Sequence, residues 1–453
     1  MSAEAAGDLR RVVGFWGGTA LIVGITIGSG IFRKPKTLAE LVPDAVVILS
    51  LWIAFGLVSL CGALALAELA SMLPRTGGPY VFIHAAYGPA AAFVFGWLYL
   101  LVATPAAIGA LATFGAELLL GLVGRESRDP GTIAPLASFL IAVLGAANVR
   151  GVRLGSAIQG TLTVLKVAAL LLVMGLAFLV VGGSFAHLGQ RAGSGVGAAA
   201  LGRAAASVLW AYDGWITVSM IAGEVVGAEK QMRRIVVAGM LTIVLLYLGA
   251  NLAYFYAVPV AAMAEASEGV PQHIAAAAMG PAGAALVSVL ILCSVFGALN
   301  GNVLAKPRVS FALARDGLSF AFLGRAHPLW STPHLAILIQ CAGAVALVWV
   351  LRDFDRLTTY FVVVEWAALL FAVGAVYVLR RRLPAAPRPF RTPGYPVVPA
   401  VFLVGTLAGL AAIVWGEIAQ PTPNYSPVWG LLLAAAGFPA YALWRRRSGT
   451  RHR

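Results

Sequence analysis

Apolar runs of about 20 residues recur along the whole chain, the length that crosses a hydrocarbon core of roughly 30 Å. In lipid every backbone polar group must be satisfied within the chain, so such runs fold as helices. The 453 residues are 60% hydrophobic and 11% charged, too apolar for soluble domains. The expected fold class is therefore an all-α polytopic membrane protein. The first segment has no small-residue cleavage site and stays hydrophobic too long for a secretory leader.

The pattern gives twelve transmembrane helices. They cover about 12–41, 45–72, 85–121, 133–149, 156–181, 203–226, 235–258, 282–315, 333–351, 357–380, 397–419 and 428–444. Of 32 Lys and Arg, 20 fall on the side of the N-terminus, 9 on the opposite side and 3 within spans. This asymmetry places both termini in the cytoplasm. It also explains the net charge of +14 without nucleic acid, since the positive charge lies in short loops and the tail. Arginine-rich, alanine-rich usage suggests a GC-rich bacterial genome, hence a bacterial inner membrane.

The first span contains Gly24-Ile25-Thr26-Ile27-Gly28-Ser29-Gly30-Ile31-Phe32. Glycine costs about 1 kcal/mol per residue within a helix, so the helix is expected to break at Gly28–Gly30. In the sixth span, Ala211-Tyr212-Asp213-Gly214-Trp215 interrupts a similar apolar run. If spans one to five and six to ten are repeats, the two breaks correspond. An odd repeat of five must be inverted in the membrane. Paired broken helices mark a transporter site at mid-membrane. The units expected are a tail at 1–11, a first repeat at 12–182, an outer loop at 183–202 and a second repeat at 203–380. A loop at 381–396, helices eleven and twelve at 397–444 and a basic tail at 445–453 complete them.

At the first break, the amides of Ser29, Gly30 and Ile31 open a helix whose positive dipole end suits a carboxylate. The carbonyls of Thr26 and Ile27 close the preceding helix and suit an ammonium. Around Gly214, the carbonyls of Trp210 and Asp213 do the same. Amides beside carbonyls fit an α-amino acid zwitterion. Plain close packing of small residues is the simpler alternative for such glycines. Trp210 is a candidate outer gate. Asp213 is a candidate partner for a cationic side chain, a proton site or a helix cap.

Charged groups inside spans cost at least ~2.5–3.5 kcal/mol each at mid-membrane. Lys166 is placed to stand for a sodium ion against the carbonyl ends of the first break, or to carry a proton. Glu68 and Glu224 lie near cytoplasmic ends, where salt bridges would close the inner side. Glu117 is expected to be solvated, and Glu365 has no role legible from sequence. The six histidines form no metal-ligand pair, and there is no Gly-Lys-Ser/Thr phosphate loop. No catalytic residue, metal or cofactor is expected. Cys61, Cys293 and Cys341 lie in apolar runs.

An ordered series of motifs resembles the amino acid–polyamine–organocation superfamily, and within it the L-type amino acid transporters and their bacterial members. It comprises Gly28-Ser29-Gly30-Ile31-Phe32, Ala67-Glu68-Leu69, Pro74-Arg75-Thr76-Gly77-Gly78-Pro79-Tyr80, Asn148, Gly151-Val152 and Gln159 to Lys166. It continues with Trp210 to Trp215, Glu224, Phe296 to Gly301, Arg308, Ala314-Arg315-Asp316-Gly317, Arg388-Pro389-Phe390 and Gly394-Tyr395-Pro396. The resemblance implies a leucine-transporter-type fold with a five-plus-five inverted repeat and helices 1 and 6 broken. It implies sodium-independent amino acid transport, commonly by exchange. It implies that Gly28–Gly30 bind the carboxylate, that Thr26, Trp210 and Asp213 bind the amine, and that Lys166 sits near a vacated sodium site. Here Gly223-Glu224 leaves one acidic residue where relatives often have two. The loop from Gly121 to Ile133 lacks the cysteine that links eukaryotic members to a glycoprotein subunit, so no such partner is expected.

Small to medium neutral L-amino acids are the first expectation for substrate. Proton-coupled or cationic amino acid transport and a non-transporting sensor are the alternatives.

Overall fold

The computed structural model describes residues 11–125, 130–190, 196–267 and 269–449. Of the expected tails at 1–11 and 445–453, residues 1–10 and 450–453 lie outside the described residues, as do 126–129, 191–195 and 268.

Among the described residues the regular elements are helices, with one isolated bridge pairing Val13 and Val225. In order come α1 (Phe15–Thr26), α2 (Gly30–Leu41), α3 (Ala45–Met72), α4 (Pro79–Tyr87), α5 (Pro89–Leu98) and α6 (Thr104–Leu122). Then follow α7 (Pro130–Val149), α8 (Val152–Leu176), α9 (Ala198–Tyr212), α10 (Thr217–Met220), α11 (Ala228–Ala257) and α12 (Val260–Glu265). The last are α13 (Val270–Ala305), α14 (Pro307–Arg315), α15 (His334–Leu351), α16 (Phe354–Arg382), α17 (Val397–Ile418) and α18 (Ser426–Gly449). Eleven stretches among the described residues are long and apolar enough to cross a membrane, with α1 and α2 together forming the first. The protein is a multi-pass membrane protein, nearly all helical in its described residues. The expected sixth span is not one of the eleven, because its residues are divided between α9 and the four-residue α10.

Three other spans depart from the sequence pattern. The seventh was expected from Ile235, but α11 already begins at Ala228. The third was expected from Ala85 but starts at Pro89, after a separate helix α4. Gly88 between them has φ +86°, a left-handed conformation that favours glycine, and Pro89 opens the next helix. The eighth was expected from Ala282, but α13 already begins at Val270 and kinks at Gly280, before Pro281.

Starts and stops follow local chemistry. The Asp44 carboxylate accepts from the amides of Val46 (2.9 Å) and Val47 (3.1 Å) and caps α3. Asp353 caps α16 through the Arg356 amide at 2.8 Å. At the centre, α1 packs on α8, α11 and α13, and on α10, while α2 packs on α9. The residues between α1 and α2 thus lie against those between α9 and α10.

Candidate functional site

Residues 27–29 are non-helical, between the C-terminal end of α1 and the N-terminal end of α2. Gly30 and Ile31, as the first residues of α2, have no carbonyl four residues back within their own helix. Across from them, residues 213–216 separate α9 from α10. The two interruptions touch. A Cβ on Gly30 would come within 2.5 Å of the Ala211 backbone, so glycine is what lets α2 reach α9. Gly214 has φ +118°, and a Cβ there would lie 2.7 Å from Thr26 Oγ1. Both glycines answer to packing as well as to any ligand.

A small cavity opens between the interruptions. Thr26, Gly28, Ser29 and Gly30 line it from one side, Trp210 and Asp213 from the other, with Ile25, Ala107, Leu111 and Asn302 completing the wall. The Trp210 indole donates to Ser29 Oγ at 3.0 Å and sets its ring edge-on to Phe354 and Phe361. It is 7% exposed, so it bridges the interruptions and forms one wall of the cavity.

Lys166 is fully buried in α8. Its ammonium donates to three backbone carbonyls: Gly24 at 2.5 Å, Ile27 at 2.8 Å and Ser294 at 2.8 Å. Ser294 Oγ also donates to the Ile27 carbonyl at 3.0 Å. The Tyr247 hydroxyl lies 2.6 Å from the Thr26 carbonyl and 3.0 Å from that of Ala211, tying the two interruptions together. The carbonyls of Thr26 and Ile27, expected to be free for an ammonium, are thus already engaged by groups from α8, α11 and α13. Ile27 itself does not line the cavity, and neither does Ile31 or Gly214.

The Asp213 carboxylate does not cap α10, which has Ile216 at its N-cap and no side-chain cap bond; the residue instead ends α9, its amide donating to the Trp210 carbonyl. Its carboxylate lies 3.7 Å from the Lys306 ammonium, which is 3.6 Å from Glu365. Tyr99 donates to Glu365, so the glutamate without a legible role belongs to a buried ionic group beside the cavity.

Buried and partly buried ion pairs lie on both sides of the cavity. On the side of the N-terminus, Glu224 and Arg308, each 1% exposed, pair through two contacts, with Arg308 Nη2 to Glu224 Oε2 at 3.0 Å. The Glu224 carbonyl accepts from the amides of Val12 and Val13 at 2.9 Å. Glu68 holds Arg380 at 2.6 Å, Arg388 at 3.4 Å and Thr392 at 2.7 Å. Tyr80 donates to Asp316 at 2.9 Å; burial first, and the Asp316 charge second, hold that phenol well above its usual pKa. On the α2 side, Arg33 pairs with Glu117, and Lys34 with Asp355 at 2.5 Å. Glu117 was expected to be solvated; it is instead only a quarter exposed, because Arg33 of α2 reaches it.

Sequence reasoning missed Tyr247, Ser294, Asn302 and Lys306. Lys306 carried a signal, a charge inside an apolar span. The others are ordinary polar residues whose roles arise only from packing.

Comparison with known proteins gives one consistent picture. The profile of a family described as amino acid permease matches residues 13–436. A serine/threonine exchanger, SteT, of Bacillus subtilis (strain 168) is 30% identical over 447 residues, covering 98% of each chain. The mouse b(0,+)-type amino acid transporter 1 is 27% identical, covering 96% of this chain and 88% of its own. The human cystine/glutamate transporter is 27% identical, covering 96% and 86%.

Proposed function

The chain belongs to the amino acid permease family, and from that premise we propose that it is a sodium-independent exchanger of small to medium neutral L-amino acids. The observation that carries the reading is the polarity across residues 27–29. The cavity has the opening amides of α2 on one side and the closing end of α1 on the other. A carboxylate would sit on the amides around Ser29 and Gly30. The α-amine would lie toward the backbone of Thr26, Trp210 and Asp213. Trp210 would leave Ser29 as the site opens on its side.

Sodium independence is supported by Lys166. Three carbonyl oxygens surround its ammonium, an arrangement in which a bound metal cation would otherwise balance the α1 end. Exchange is supported by the likeness to the serine/threonine exchanger of Bacillus subtilis, as is a preference for small side chains. Proton-coupled uptake is a second reading, favoured by the complete burial of the ammonium of Lys166.

In this account α9 and α10 form a twelfth, broken span, and spans one to five and six to ten are inverted repeats. The packing of α1 on α10 and of α2 on α9, which brings the two interruptions together, supports that arrangement. Alternating access would break the Glu224–Arg308 and Glu68–Arg380 pairs on the cytoplasmic side, or the Arg33–Glu117 and Lys34–Asp355 pairs outside. The charge asymmetry supports cytoplasmic termini in a bacterial inner membrane. The loop from Gly121 to Ile133 carries no cysteine, which supports a carrier without a disulfide-linked subunit. The reading is tested by reconstitution: labelled serine should enter vesicles preloaded with unlabelled amino acid and not empty ones. Equal entry into empty vesicles would exclude exchange.

A further inference from the structure

Lys306 is a buried cation beside the cavity with no part in holding the α-carboxylate or α-amine. It stands at the junction of α13 and α14, and its side chain has no exposure. Its ammonium lies 3.7 Å from Asp213 Oδ2 and 3.6 Å from Glu365 Oε1 and makes no hydrogen bond. The Phe361 ring faces it at 4.3 Å. Of the three ions, Asp213 alone lines the cavity, with 10% of its side chain accessible; Lys306 and Glu365 are fully covered. The order outward from the cavity is Asp213, then Lys306, then Glu365 held by Tyr99.

A carboxylate on the wall of an amino acid site attracts a basic side chain. Here the partner is already supplied by the chain itself, from behind the wall. An ammonium or guanidinium arriving from the cavity would find Asp213 paired and a like charge close beyond it. Like charges placed together are a device for rejecting wrong partners. A neutral side chain meets no such obstacle.

We infer that Lys306 determines specificity: it is a tethered counter-ion that neutralises Asp213 and closes the site to amino acids with cationic side chains. This rests on the proposed binding of an amino acid between the two interruptions.

The test is uptake of labelled serine and labelled arginine into serine-loaded proteoliposomes, for wild type, Lys306→Gln and the double variant Lys306→Gln/Asp213→Asn. The wild type takes up serine and not arginine. Lys306→Gln raises the arginine-to-serine ratio by about tenfold or more, and the second substitution removes that gain. Arginine uptake by wild type at the serine rate overturns the inference. So does a Lys306→Gln variant that carries serine without gaining arginine, or a gain that survives in the double variant. If the variants do not fold, competition in the wild type decides: norvaline should compete with serine while ornithine of the same chain length should not, and equal competition overturns the inference. Failure of serine uptake by the wild type would instead count against the proposed function.

Discussion

Lys166 is the residue on which most of the local order depends. Its ammonium is the shared donor for carbonyls of Gly24, Ile27 and Ser294. Lys166→Ala leaves buried acceptors unsatisfied, at about 1–3 kcal/mol for a lost charged donor. The expected outcome is a lower melting temperature in detergent and loss of serine exchange; wild-type rates would make the lysine dispensable. Trp210→Phe keeps an aromatic ring against Phe354 and Phe361 but removes the donor to Ser29. Serine affinity should change by up to about tenfold, the equivalent of ~1.4 kcal/mol, read by equilibrium binding to purified protein. Lys166 was legible in the sequence because a charge in an apolar run breaks a rule. Tyr247 was not: a tyrosine in a helix is unremarkable until α11 brings its hydroxyl to Thr26 and Ala211.

Among elements, the junction of α2 with α9 is the tightest near the cavity. A Cβ on Gly30 would lie 2.5 Å from Ala211 Cα, whereas one on Gly28 would lie 3.0 Å from Ala298 Cβ. Backbone cannot yield as a side chain can. Gly30→Ala should therefore destabilise by about 1–3 kcal/mol through overpacking, and Gly28→Ala by less. Thermal unfolding of the two variants, measured side by side, checks the order, and the reverse order would contradict this packing. The glycines were legible as a place where helix gives way. That they also serve as contact points was not, because the neighbour at Gly30 comes from 181 positions along the chain in the sense of the Trp210–Ser29 pair. Likewise α4 was hidden in the sequence, since only the left-handed turn at Gly88 separates it from α5.

Across the whole molecule, ion pairs are made on both sides of the cavity at once, and they are unequal. Glu224 and Arg308 are each 1% exposed, while Arg33 and Glu117 are 24% and 25% exposed. Removing one partner of a fully buried pair costs about 3–5 kcal/mol, and of a partly exposed pair less. Arg308→Gln should thus lower thermal stability far more than Glu117→Gln, and equal shifts would contradict the difference in burial. Serial apolar runs made the all-helical architecture legible, and the charge inside them pointed to Glu68 and Glu224. Their partners, on α14 and α16, follow from tertiary packing alone. The central claim is that an amino acid binds between the two interruptions while Lys166 takes the place of a metal cation. Serine-loaded proteoliposomes test it, with labelled serine outside and sodium replaced by choline. Counterflow should be the same in choline as in sodium; counterflow that collapses without sodium would contradict sodium independence.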